Sequence, residues 1–212
     1  MIYVLTSGQD LRTMLPFILS WLVAITIALT VHEFAHAKRA DMAGDATPRG
    51  HGRVSLNPLD HYDPVGTTMI LLFGIGWGKP VPVNPVNFNH PRRDSIAVAA
   101  WGAGANIITA VIAGLPIRFG IAGDYTMPLG IIVGINLLLA FFNLLPVGPL
   151  DGAAVVMGLL PLPAAKRFAE FSARWGWILL MLIIITPPLR NILIWLPVGL
   201  LGSLIMGRPL PF

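Results

Sequence analysis

An apolar run from about Met14 through Leu29 leads directly into Val31-His32-Glu33-Phe34-Ala35-His36-Ala37. The run is long enough to cross a bilayer, since a helical span takes roughly 20 predominantly apolar residues. On a helix His32 and His36, four residues apart, stack on one face, and two imidazoles so spaced can hold one zinc ion. Glu33 beside them is placed to take a proton from water. Catalytic zinc needs neutral nitrogen ligands and one position left open for that water. The competing reading, polar residues at a helix end snorkelling to the headgroups, leaves the glutamate unexplained. A glutamate inside an apolar span costs a few kcal/mol unless it faces a cavity or a partner.

The rest of the chain is apolar for most of its length, sparing in charge and rich in glycine and proline. Glu33 and Glu170 are its only glutamates. The composition predicts a polytopic, all-α membrane protein with a single domain over residues 1–212. Its catalytic core is expected at about 14–160 and a C-terminal membrane segment at about 175–206. Lys and Arg sit in loops between spans rather than in a stripe, so they report topology and not nucleic-acid binding. The absence of cysteine excludes disulfides, thiolate zinc ligands and a cysteine nucleophile. Met1–Leu11 lacks a basic n-region and a cleavage site, so the first span reads as retained.

Lys38-Arg39, Arg49 and Arg53 follow the first span and assign its end to the cytoplasm. Asp63 to Gly78 is apolar but too short to span comfortably, and Lys79, Arg92 and Arg93 follow it. It therefore reads as a re-entrant or buried element. Lys79-Pro80-Val81-Pro82-Val83-Asn84 alternates proline with valine, the pattern of an extended edge segment. Further spans are expected at about Ser95–Leu115 and Leu129–Leu145, with Arg118 and Asp124 outside between them. Lys166, Arg167 and Arg174 return the chain to the cytoplasm. The tail from Trp175 to Ile205, split by Thr186-Pro187-Pro188, fits a short hairpin or one distorted span.

A catalytic zinc needs a third protein ligand. Asp151 is the candidate, because the topology brings it back to the depth of His36 where Pro146 and Pro149 break the helix. Irregular backbone at that depth is tolerated only where it lines a cavity or is buried in protein. The alternative is an aspartate capping the helix that follows. His51, His61 and His90 read as solvated loop histidines, Asn106, Asn136 and Asn143 as interhelical hydrogen-bonders, and Gly102 and Gly104 as close-packing residues.

His-Glu-Phe-Ala-His in the first long span, Gly102-x-x-x-Asn106 in the next, and Asn143-Leu144-Leu145-Pro146 followed by Leu150-Asp151-Gly152 resemble the site-2 protease family. Leu56-Asn57-Pro58 and Gly78-Lys79-Pro80 through Pro85 resemble its compact members, without a PDZ-like or CBS-like extension. The likeness covers roughly Ile27–Val156. It implies a three-helix core, one zinc held by His32, His36 and Asp151, Glu33 as general base, and Asn106 positioning substrate or stabilising the oxyanion. The expected function is intramembrane zinc endopeptidase, acting on transmembrane protein substrates from the bilayer near the cytoplasmic face of the cell membrane. Lys79, Val81, Val83 and Asn84 would hold the unwound substrate by strand addition. The rival functions are a membrane ion transporter and an inactive relative that binds membrane segments. Substrate identity, regulation, oligomeric state and the gate are not legible in the sequence.

Overall fold

The computed structural model describes residues 11–73 and 76–211. Its helices are α1 (Leu11–Met42), the short α2 (Thr47–Gly50), α3 (Pro64–Phe73), α4 (Pro91–Arg118) and α5 (Thr126–Asn143). After these come α6 (Asp151–Leu159), α7 (Leu162–Ile185), α8 (Pro187–Arg190) and α9 (Leu196–Met206), the last two joined by a wide helical turn over Asn191–Trp195. No strand occurs among the described residues. The expected all-α class is observed, and five helices are long and apolar enough to cross a membrane.

α1, α4 and α5 pack on one another and form the central bundle. Lipid is as apolar as leucine, so burial alone does not drive membrane helices together; close backbone approach does. Small side chains allow that approach here: Ala24, Ala28 and Ala35 of α1, and Ala103 and Ala110 of α4, are all buried. α1 stops at Gly44, whose φ of +104° suits glycine, and the Asp45 N–H closes the last turn on the Ala40 carbonyl. Arg39 then ties α1 to the start of α4 through Asp94 at 2.7 Å.

The segment expected to enter and leave on one side consists of α3 and a returning strand of chain. Gly66 faces Trp77, and Gly76 faces Ile70, so the return lies back along the helix. The Lys79 N–H then reaches the His61 carbonyl at 2.9 Å, next to the point where the segment began.

The tail runs from one end of α4 to the other. Arg92, in the first turn of α4, donates to the carbonyls of Gly158 and Leu160. Arg118, in its last turn, donates to that of Leu204. Residues 160 and 204 therefore lie near opposite ends of α4, and α7 and the α8–α9 run that connect them are each long and apolar enough to span. α7 also begins earlier than its hydropathy suggested. Pro161 and Pro163 start the helix, and Lys166, Arg167, Glu170 and Arg174 lie exposed along its first half. A polar first half of this kind hides a helix from a scan for continuous apolar residues.

Candidate metal centre

His32 and His36 lie one turn apart on α1 and are 5% and 9% exposed. Their Nε2 atoms are 3.0 Å apart, and Asp151 Oδ2 stands 3.2 Å from the first and 3.1 Å from the second. What faces each ring's other nitrogen decides what that cluster is. His32 Nδ1 is 2.8 Å from Asn106 Oδ1, and His36 Nδ1 is 2.8 Å from the Val98 carbonyl. Both partners only accept, so both Nδ1 atoms carry the hydrogen, and in the neutral rings both Nε2 atoms present lone pairs. Two lone pairs and a carboxylate oxygen thus converge with no donor between them; Asp151 Oδ2 is buried with no hydrogen-bond partner among the described residues. Such a cluster is repulsive until a cation sits in it, and a two-imidazole, one-carboxylate donor set suits zinc.

Asn106 is fully buried, and its orientation follows from its own partners. Its Nδ2 donates to the Ala28 carbonyl and to Asn136 Oδ1, each at 2.9 Å, which leaves Oδ1 for His32. Asn136 in turn donates to the Ile132 carbonyl of its own helix. Both amide hydrogens of Asn106 are thus used by protein acceptors here, and its Oδ1 by the His32 ring. The interhelical bond that sequence offered for Asn106 and Asn136 is present, and it ends on the His32 ring. Asn143 bonds only within its own helix, to the Leu139 carbonyl.

Asp151 opens α6 as its first residue, behind Leu150, and makes no capping hydrogen bond. The capping alternative is thus not realised. Gly152 fits the helix start against the Leu144 and Leu145 carbonyls.

Gly102 is more than a packing residue. A Cβ there would lie 2.7 Å from His32 Cε1 and closer still to His36 Nε2. At Gly104 a Cβ meets nothing within 4 Å. Gly102→Ala should therefore push both rings off their lone-pair geometry and lower the metal content of the purified protein, while Gly104→Ala keeps it. Equal metal loading in both variants, read by elemental analysis, would show that the rings have room to give.

Glu33 is half-buried on the next face of α1, and its Oε1 lies 3.9 Å from where a Gly78 Cβ would stand. The chain that follows Gly78 is pinned at both ends. At the first, the Lys79 N–H and carbonyl are taken by the His61 carbonyl and by Arg53, which also holds the Pro80 carbonyl at 3.0 Å. At the second, the fully buried Asp45 accepts the Asn84 N–H at 2.7 Å and the Asn87 amide at 2.9 Å. Of the four residues expected to hold substrate, Lys79 and Asn84 thus have backbone groups already used. The Val81 and Val83 N–H groups have no protein partner among the described residues. Val83 also packs against the Ala40, Ala43, Phe88 and Val98 cluster.

Burial works to raise the Asp45 carboxyl, but the Thr47 hydroxyl, the Asn84 N–H and the Asn87 amide together hold it below the usual range. The anchor is complete above ordinary aspartate pH values and fades only as pH falls through that depressed value. Burial lowers the Arg53 guanidinium, partly offset by the charges of Glu33 and Asp60. His61, expected in solvent, is buried between Arg53 and the Ser55 carbonyl, whereas His51 and His90 are exposed as expected.

A helical membrane bundle with two histidines of one helix turn and a distant aspartate around a single point is a membrane protein built to hold one metal ion. The peptidase family M50 model matches residues 121–183. The chain is 32% identical over 193 residues to "Putative zinc metalloprotease YwhC" of Bacillus subtilis (strain 168), covering 86% of each chain. It is 31% identical over 182 residues to "Putative zinc metalloprotease Rip2" of Mycolicibacterium smegmatis (strain ATCC 700084 / mc(2)155), covering 82% of this chain and 68% of that one. No solved structure matches. The chain belongs to peptidase family M50, the site-2 proteases. It is a multi-pass membrane metalloprotease with zinc as its cofactor.

Proposed function

We propose that this metalloprotease is one domain that hydrolyses peptide bonds within transmembrane segments of other proteins, near the cytoplasmic face of the cell membrane. One zinc ion is held by His32, His36 and Asp151. The observation that carries the reading is the convergence of those three acceptor atoms on a helix apolar enough to span the bilayer, beside the Glu33 carboxylate. The basic residues Lys38, Arg39, Arg49, Arg92 and Arg93 cluster at the end of the bundle nearer the site, which supports its facing the cytoplasm.

When bound, zinc supplies Lewis acidity that makes water a nucleophile near neutral pH and polarises the scissile carbonyl. Glu33 takes the proton of the attacking water and returns it to the departing amine. Asn106 holds the His32 ring and fixes its tautomer, and the Val98 carbonyl does the same for His36. A helical substrate hides its carbonyls in its own hydrogen bonds, so it unwinds before it is cut. Val81 and Val83, strung between two buried anchors, pair with the unwound stretch as an added strand.

Cleavage of a model transmembrane substrate in detergent or liposomes should stop with a chelator and resume with added zinc. A protein that cuts equally well after metal removal would overturn the assignment. Val81→Pro removes one N–H with little change in apolar surface, so it should slow cleavage of a helical substrate while zinc stays bound. Wild-type rates in that variant would make the segment a linker.

A further inference from the structure

Arg53 is buried as few arginines are. It is 2% exposed, lies outside the spanning helices, and has no carboxylate within ion-pair distance among the described residues. Its Nε is buried without a partner. A lone buried cation is expensive, and the remaining bonds show what it holds. One terminal nitrogen donates to the Pro80 carbonyl at 3.0 Å; the other reaches the Lys79 carbonyl and His61 Nδ1. His61 Nε2 donates to the Ser55 carbonyl at 2.8 Å, so its Nδ1 carries the lone pair that Arg53 needs. The same histidine's carbonyl receives the Lys79 N–H at 2.9 Å. Lys79 is thus gripped by its N–H and its C=O, through one arginine–histidine pair. The residue before it, Gly78, is the one that abuts Glu33, with 3.9 Å from its Cβ position to Oε1.

We infer that Arg53, backed by His61, is a positioning residue that sets the register of the substrate strand against Glu33. The planar fork fixes two successive carbonyls, which a lysine's point charge does not do. With Lys79 and Pro80 fixed, the free N–H groups of Val81 and Val83 stand at set distances from the general base. Which substrate carbonyl arrives beside Glu33 then follows from which substrate residues pair with them. A shift of one residue along an added strand reverses the direction of every side chain, so the wild-type fork should enforce cutting at one bond. This rests on the strand capture proposed above, which Val81→Pro tests by itself.

The experiment compares wild type, Arg53→Met and Arg53→Lys, each with measured zinc content, on one transmembrane substrate whose products are mass-mapped. Arg53→Met should retain zinc, since none of the three ligand side chains touches it. It should also spread cleavage over neighbouring bonds and lower kcat/KM at the main bond by about 10- to 100-fold, as misplaced reactants do. Arg53→Lys, with the charge kept and the fork lost, should spread the products less and still bind zinc. A residue that merely stabilised the fold would reduce the active fraction and leave the cut site unchanged. Unaltered cut sites in both variants, with rates that track the zinc-loaded fraction, would overturn the inference. Should Arg53→Met fail to fold, Arg53→Lys decides: a single cut site at wild-type kcat/KM refutes the fork. If Val81→Pro is slowed while the Arg53 variants cut normally, capture stands and only the role of Arg53 falls. If Val81→Pro cuts normally, the capture reading itself fails.

Discussion

Glu33→Gln should keep its zinc and its fold and lose nearly all turnover. The substitution preserves the shape of the side chain and removes its ability to accept a proton. The three converging acceptor atoms belong to His32, His36 and Asp151, so metal content should match wild type. General-base catalysis contributes about 10²- to 10⁴-fold to a rate, and a loss of that order is expected in single-turnover cleavage of a membrane substrate. The decisive comparison holds zinc content equal in the two proteins. Substantial cleavage by the zinc-loaded glutamine variant would move the base elsewhere.

The second large effect is loss of the metal itself. Asp151→Ala removes the only anionic member of the cluster and leaves two neutral nitrogens on one helix turn. Loss of an outer-shell partner typically costs 10- to 100-fold in metal affinity. Asp151→Ala, which removes a ligand, should exceed that. Asn106→Leu, which frees the His32 ring to turn, should fall within it. Asp124→Ala, exposed at the far end of the bundle, should bind zinc as wild type does. Similar zinc occupancy in the Asp151 and Asp124 variants would place the third ligand elsewhere.

What was legible in the sequence follows from the range of each interaction. His32, Glu33 and His36 are related by one helix turn, and local geometry makes that pattern readable without a partner. Asp151 was reachable because basic residues report the side on which each span begins, and depth followed from counting spans. Asn106 was visible, but its protein partners were not. Its partners are Ala28, His32 and Asn136, and nothing in the local chain says that all its polar atoms are spoken for. Arg53 and His61 looked like loop residues because loops are mostly solvated. Their burial exists only once the chain after α3 has folded back over them. The tail's direction was likewise hidden, since hydropathy marks an apolar helix but not which way it runs; Arg92 and Arg118 supply that from opposite ends of α4.

The placement of the proposed zinc-binding atoms along the chain sets the order in which the site is assembled during synthesis. The histidines emerge from the ribosome early, Val98 and Asn106 follow, and Asp151 arrives after two further helices have entered the bilayer. Until α4 is in place, neither imidazole has the neighbour that fixes its hydrogen on Nδ1. Until α6 docks, two nitrogens stand alone. On the ligand set proposed above, a nascent chain therefore lacks the third metal-binding atom until α6 is in place.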